Sequence, residues 1–339
     1  MFDYYIFRVN NFKNYNFIFL LYFSRSGSTY FSKVLAENCK DLTIIPESNY
    51  FRIILSHYKI YKKFDPRNLT HLILEDPKFK FFEVTRENLM IALRLCNNHL
   101  EAIMAVTSLI LENRKRSDYK NVLIKDGGLV DFVREIRSLF PNPKILFIQR
   151  DPRGCINSLL HSPKIFLKGN SSMGWNDIEM CCSGYMSYLK KINRLETCSI
   201  YSFTYESLLK SEIQATKRAL AYIALEASIE KVAVAKNYIL QKENIAHGNV
   251  FERAKKNRAY AWKHELEDWE IKYIEFRLSK FIPLALCLNN NSNLNLACLK
   301  AAGNHLIGAT RLNLYRVERY LLKGNFNLLL LKLQLKMRF

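Results

Sequence analysis

At least four times along this chain an apolar run stops at a polar turn and helix-spaced residues follow. The first instance is "FIFLLYFSRSGSTYFSKVL", residues 17–35. The others are "NVLIKDGG" with "DFVREIRSLF" (121–140), "KILFIQRDPRGCINSLL" (144–160) and "CSIYSFTYESLL" (198–209). Strands alternating with helices build parallel sheets with right-handed crossovers. The apolar runs are continuous, as suits strands covered on both faces. The expected fold class is α/β: a three-layer sandwich with a central parallel sheet flanked by helices. In such sheets ligands bind beyond the carboxyl ends of the strands, so the turns carry the function.

Between these units the pattern is mostly helical. "LTIIPES" (42–48) predicts a short second strand ending at Pro46, and residues 50–118 have helical spacing with a charged loop around "DPRN". Residues 212–281 are again helical in pattern, interrupted by the basic stretch "HGNVFERAKKNR" (247–258). "LNNNSNLN" (288–295) has the composition of a linker. Residues 309–339 follow it with seven Lys or Arg and one acid in a Leu-rich pattern. The expected division is a main domain at 1–285 and a linker with a basic helical tail at 286–339. That tail can dock on the domain, on another subunit or, peripherally, on an anionic membrane.

Charge narrows the partners. The chain has 51 Lys or Arg against 31 Asp or Glu, a net +20. That favours an anionic ligand or surface without choosing among nucleotide, polyanion, nucleic acid and acidic membrane. Eight cysteines include no CxxC pair, which predicts free thiols in a reducing compartment. No run of eighteen apolar residues occurs, so no membrane span is expected. The seven-residue run at 17–23 is short for a secretory leader, and cleavage after it would cut the following turn. The expected location is therefore cytoplasmic. The histidines show no metal spacing, so no metal is expected. The aromatic residues are expected in the core and not on a nucleic-acid platform.

Two turns have the chemistry of anion sites. In 24–29 a tight turn at Gly27 opens a helix, whose free N–H groups converge on one point. Ser26, Ser28 and Thr29 add hydroxyls, and Arg25 adds a fixed charge with a donor fork. The turn is not a Walker A loop, since GxxxxGK[ST] is absent. In the second turn Arg150 leaves a strand, Asp151, Pro152 and Arg153 turn the chain, and Ser158 lies two helical turns further on. Arg150 and Ser158 can reach one anion across the helix start. Two separated anion sites suggest a ligand with two phosphate groups.

These residues resemble the sulfotransferases that use PAPS (3′-phosphoadenosine 5′-phosphosulfate). "SRSGSTYFSKVL" is similar to their 5′-phosphate loop, and "ILFIQRDPRGCINSLL" to their 3′-phosphate strand–turn–helix. "FTYESLL" (203–209) and "RAYAWKHEL" (258–266) resemble their adenine-side segment and C-terminal basic loop. The likeness covers roughly residues 16–283, with the four motifs in family order. The resemblance implies the P-loop-NTPase-like sulfotransferase fold. It departs from the cytosolic branch, which has Lys at the place of Arg25 and Trp at that of Tyr30, and leans to the carbohydrate and bacterial branches. The cytosolic RKxG signature is missing; Arg253, Lys255, Lys256 and Arg258 stand in its neighbourhood.

By this resemblance PAPS is the co-substrate and adenosine 3′,5′-bisphosphate a product. Arg25 would bind the phosphosulfate and steady the leaving oxygen. Ser26, Gly27, Ser28 and Thr29 would hold the 5′-phosphate. Tyr30 would stack on adenine, with Tyr205 also against the base. Arg150, Ser158 and a basic residue such as Arg258 would hold the 3′-phosphate. Glu47, in "IIPESNYF", is the first choice for general base, with Asp126 the alternative; Asn49 stands where the pattern often has His. Lys125 matches a Lys near the transferred sulfonyl. Catalytic duty thus falls to Glu47, Lys125 and Arg25, acting on a hydroxyl or amine of a carbohydrate or small metabolite. The acceptor pocket is expected from the helices of 50–118 and the segment 161–180. Two other readings remain open: a P-loop-type kinase of a small molecule, and a non-catalytic basic protein that binds membranes or polyanions.

Overall fold

The computed structural model describes residues 15–162, 173–174, 176–195, 200–228, 256–281 and 294–317. Five strands form one parallel sheet: β1 (Asn16–Tyr22), β2 (Leu42–Ile45), β3 (Asn121–Lys125), β4 (Lys144–Gln149) and β5 (Ile200–Thr204), in the spatial order β2-β3-β1-β4-β5. The α/β expectation holds. β1 sits at the centre, with Leu20 beside Lys125 of β3 and Tyr22 beside Ile148 of β4. The chain leaves β1 to one side for β2 and β3, then crosses to the other for β4 and β5. This reversal makes the β1/β4 junction the switch point where open sheets bind ligands.

The pleat sorts β1 into two layers. Phe17, Phe19 and Leu21 enter one core, while Ile18, Leu20 and Tyr22 enter the other. Both faces are covered, so the run reads as continuous apolar sequence. On the first face lie α2 (Tyr50–Tyr61), α3 (Pro66–Leu74), α4 (Arg86–Arg94), α5 (His99–Asn113), α6 (Val133–Leu139), α7 (Pro152–His161) and α8 (Ile178–Asn193). The second face carries α1 (Ser28–Glu37), α9 (Tyr205–Lys210) and α10 (Glu212–Tyr222). The last described stretches add α11 (Trp262–Glu265), α12 (Asp268–Arg277) and α13 (Leu294–Val317). α13 packs on α8 and α12, with Ala297 and Ala301 in the first core.

One expectation changes. The charged loop around "DPRN" is the start of α3: Asp65 accepts from the Arg67 and Asn68 amides, and Pro66 occupies the first helical position. An acceptor at the cap followed by proline is a strong start signal. Asp151 and Pro152 open α7 in the same way. The basic stretch 247–258 lies outside the described residues up to 255. Among the described cysteines, Cys39, Cys96, Cys155, Cys181, Cys182 and Cys298 are free thiols. Cys198 and Cys287 lie outside the described residues.

Candidate active site

The turn after β1 is held by its own backbone. The Ser26 amide donates to the Phe23 carbonyl at 3.2 Å, and the Ser26 hydroxyl closes on the same oxygen. Arg25 and Gly27 both take positive φ, 70° and 87°. Such conformations are rare outside glycine and concentrate at functional sites. Glycine at 27 is required twice over, because a Cβ there would stand 2.3 Å from Cδ2 of Tyr205. α1 starts at Ser28 with no side chain capping it, so its first amides face the turn. Ser26, Ser28 and Thr29 are all buried.

Because β4 is the direct neighbour of β1, the turn after β4 meets this one. Arg25 donates from Nε to the Ser158 hydroxyl at 2.9 Å. Arg150 donates from Nη1 to the Arg25 carbonyl at 3.0 Å and from Nη2 to the Arg258 carbonyl at 2.8 Å. Its guanidinium lies 4.8 Å from the Tyr205 ring centre, and its Nε is buried with no hydrogen-bond partner. The Tyr185 hydroxyl fixes the Arg150 carbonyl at 2.7 Å. Gly154 leaves room for the guanidinium, since a Cβ there would be 2.8 Å from Arg150 Nε. Arg258 is half-exposed and pairs with Glu265 at 3.4 Å. Glu265 also accepts from Asn157 at 2.6 Å, tying α11 to α7.

Three guanidiniums therefore crowd the carboxyl end of the sheet. Burial, and then the charges of Arg150 and Arg258, bring the Arg25 guanidinium down to about 10. A cluster with this electrostatic character is stabilised by an anion. The neighbouring Arg153 has a different duty. It is buried, ion-paired to Asp151 and Glu275 at 2.7 Å each, and stacked 4.0 Å over Trp262. It holds α7 to the C-terminal helices. Tyr30 is buried and donates its hydroxyl to Glu212 of α10.

On the other side of β1 the ends of β2 and β3 bring a second group together. The Glu47 carboxylate accepts from the Tyr22 hydroxyl at 2.9 Å, pairs with Lys78 at 3.2 Å, and has Lys125 at 4.0 Å. Lys125 is buried and lies 5.2 Å from the Tyr22 ring centre. Burial alone would raise the Glu47 carboxyl. Lys78, Lys125 and Arg52, with the Tyr22 hydroxyl, outweigh it and hold the group ionised well below the usual carboxylate range.

Asp126, the alternative base, is committed elsewhere. One oxygen accepts from Arg52 Nε at 2.7 Å and the other from the Gly128 amide at 2.8 Å. Burial raises its carboxyl, with Glu47 adding to the rise and Arg52 opposing it. Asn49 is scaffolding: its amide and side chain donate to the buried Asp76 at 3.0 and 2.7 Å, and its side-chain oxygen receives Arg52.

The structure thus gathers Arg25, Gly27, Arg150, Ser158, Tyr205 and Arg258 on the β1/β4/β5 side, and Glu47, Lys125 and Asp126 on the β2/β3 side. Sequence reasoning missed Lys78, Arg52 and Tyr22 around Glu47, and Tyr185 behind Arg150. Of these only Tyr22 had a local signal, as the last residue of a strand ending at the turn. Arg253, Lys255 and the side chain of Lys256 lie outside the described residues, as do 163–172 and Trp175 in the expected acceptor segment. Among the described residues no cluster of His, Cys, Asp and Glu could hold a metal ion.

A family model described as the sulfotransferase family matches residues 18–228. Among solved structures, a sulfotransferase domain from the curacin biosynthetic pathway aligns with a TM-score of 0.47 and 14% identity, over 77% of this chain and 97% of its own. The sulfotransferase domain of the Synechococcus PCC 7002 olefin synthase aligns at 0.45 and 13%, over 76% and 90%. A sulfotransferase of Mycobacterium avium aligns at 0.41 and 10%, over 82% and 80%. A search of curated proteins gives no match.

Proposed function

The chain belongs to the sulfotransferase family, and we propose that it moves the sulfuryl group of PAPS to a hydroxyl or amine of a carbohydrate or small metabolite. Adenosine 3′,5′-bisphosphate is the other product. The observation that carries this reading is the meeting of two cationic turns at the β1/β4 switch point, joined by Arg25 and Ser158 at 2.9 Å. A donor with phosphates at the 3′ and 5′ positions of one ribose suits two adjoining anion sites better than one phosphate does. The uncapped start of α1 and the partnerless Nε of Arg150 fit such a ligand.

Bound PAPS supplies an activated sulfuryl group on a phosphate leaving group. The chain's own residues bind, orient and move a proton. Ser28, Thr29 and the amides at the start of α1 hold the 5′-phosphate. Arg25 offsets charge growing on the bridging oxygen, the principal catalytic need in a loose in-line transfer. Arg150 and Ser158 hold the 3′-phosphate, with Arg258 at the rim. Tyr205, packed on Gly27, and Tyr30 border the adenine.

Across β1, Glu47 takes the acceptor's proton. Its carboxylate is ionised at neutral pH, and Lys125 at its side faces the transferred group. Asp126 is the weaker candidate, since both of its oxygens are already engaged.

Titration with adenosine 3′,5′-bisphosphate followed by thermal shift tests the reading. At a hundred times its Kd a ligand stabilises a fold by about 2.7 kcal/mol. Arg150→Ala is expected to weaken the shift and Glu47→Ala to leave it intact while removing turnover. Stabilisation by Mg²⁺-ATP but not by the bisphosphate would replace this reading with a kinase.

A further inference from the structure

α13 is apolar on two opposite sides. Its inner side is engaged: Ala297 and Ala301 are buried, and His305 meets the buried Asp177 carboxylate at 2.8 Å. Gly308 allows the close approach, since a Cβ there would stand 2.4 Å from the Cβ of Asp177. The outer side of a surface helix is ordinarily polar. Here Leu296, Leu299, Leu306, Ile307 and Leu314 are 50%, 71%, 73%, 54% and 66% exposed. At 3.6 residues per turn they fall in one stripe about 100° wide, opposite the buried side. Gly303 lies within the stripe and opens onto empty space. An exposed apolar stripe of this kind marks an interaction surface.

Charge selects the occupant. Exposed Lys300 and Arg311 line one edge of the stripe. Lys300 is positioned there over the Trp269 ring, 5.4 Å from its centre. Residues 296–314 contain two Lys or Arg, both exposed, and no acid. A second copy on the stripe would set two such cationic surfaces face to face, since a two-fold interface repeats the same patch. Residues 318–339, with five Lys or Arg and one acid, would bring the same repulsion if they folded back. An anionic lipid surface meets both features, taking leucines into the acyl boundary and cations among the headgroups. Among the described residues no helix is long and apolar enough to cross a membrane.

We propose that the outer face of α13 is a docking surface for anionic phospholipid bilayers. Leu299, Leu306 and Leu314 insert, and Lys300 and Arg311 face the headgroups. The surface is separate from the anion-binding turns and does not depend on the reaction assigned to them.

The test is flotation of the full chain with vesicles of phosphatidylcholine alone and with vesicles containing about a quarter phosphatidylglycerol. The chain should float with the anionic vesicles, less so as salt is raised. The double variant Leu299→Asp, Leu306→Asp should lose on the order of tenfold or more of that binding, with its thermal midpoint and nucleotide binding unchanged. Arg311→Glu leaves the stripe whole and should weaken binding at low salt. Equal flotation with both vesicles, or an unaffected double variant, overturns the proposal. So does a wild-type dimer that the double variant makes monomeric, which would assign the stripe to a second copy. A monomer that floats with neither vesicle overturns it too, by assigning the stripe to the chain's own residues.

Discussion

Arg25 Nε donates to the Ser158 hydroxyl at 2.9 Å, although 133 positions separate the two residues in sequence. The contact is a consequence of strand order. β1 and β4 are parallel neighbours, so the turns that follow them open side by side. Ser158→Ala removes a hydroxyl that serves both Arg25 and, in the proposed function, the 3′-phosphate. A hydrogen bond to a charged group contributes roughly 1.5–3 kcal/mol, so adenosine 3′,5′-bisphosphate should bind on the order of tenfold or more weakly. Adenosine 5′-monophosphate, which lacks the second phosphate, should bind both proteins alike. Calorimetry with the two nucleotides checks this; equal losses for both would mean that Ser158 acts only by holding Arg25.

Gly27→Ala should damage the first turn in two ways. Alanine at φ 87° is strained, and its Cβ would stand 2.3 Å from the Tyr205 ring. Strain of this kind costs about 1–3 kcal/mol, visible as a lower thermal midpoint. Nucleotide binding should fall as well, because Tyr205 must shift. Ala at Gly303, where nothing lies within 4 Å, is the matched control and should be neutral or slightly stabilising.

Glu47 and Lys78 make a prediction about pH. The Glu47 carboxyl is held below its ordinary value of 4.5, chiefly by Lys78 and Lys125 against the opposing effect of burial. A depressed carboxylate stabilises the fold above its ordinary value, and that contribution fades as pH falls below it. A base of this kind stays ionised through neutral pH, so the acid limb of kcat/KM should lie below pH 4.5. Lys78→Met removes a cation 3.2 Å away and should move that limb upward by on the order of one pH unit. Lys80→Met, two residues along and exposed, should leave it in place.

The sheet and the turns at the carboxyl ends of its strands were legible because both depend on local pattern. A continuous apolar run needs two covered faces, and Gly27 or Asp151-Pro152 marks where each strand ends. The surroundings of Glu47 were not legible. Lys78 reaches it because the buried Asp76 accepts from the Asn49 and Lys78 amides together. That link folds the segment after α3 back onto the end of β2. Arg52 is an ordinary helical arginine in sequence and becomes the partner of Asp126 only through the packing of α2. The start of α3 at Pro66 was legible in principle, since Asp-Pro opens α7 by the same chemistry. The outer stripe of α13 escaped for another reason. Apolar residues on both sides of a helix look alike in sequence until the body shows which side is covered.

His57 and His99 should make the fold acid-sensitive. They lie on α2 and at the first position of α5, both buried, with ring nitrogens 2.8 Å apart. Tyr58, Tyr61 and Phe64 pack around the pair. Burial, and for His57 the nearby His99, lower both to about 4 from an ordinary 6.5, with Asp65 opposing at His57. The N-terminus of α5 also disfavours a cation at His99. The unfolded chain therefore takes up protons near pH 6.5 that the folded chain refuses until about pH 4. Stability is complete above the upper value and falls through that window, by an order of a few kcal/mol for the coupled pair. Thermal midpoints measured across it should drop more steeply for the wild type than for the double variant His57→Gln, His99→Gln, whose amides can still bond to each other but do not titrate. Parallel pH profiles for the two proteins would assign the acid sensitivity to other groups.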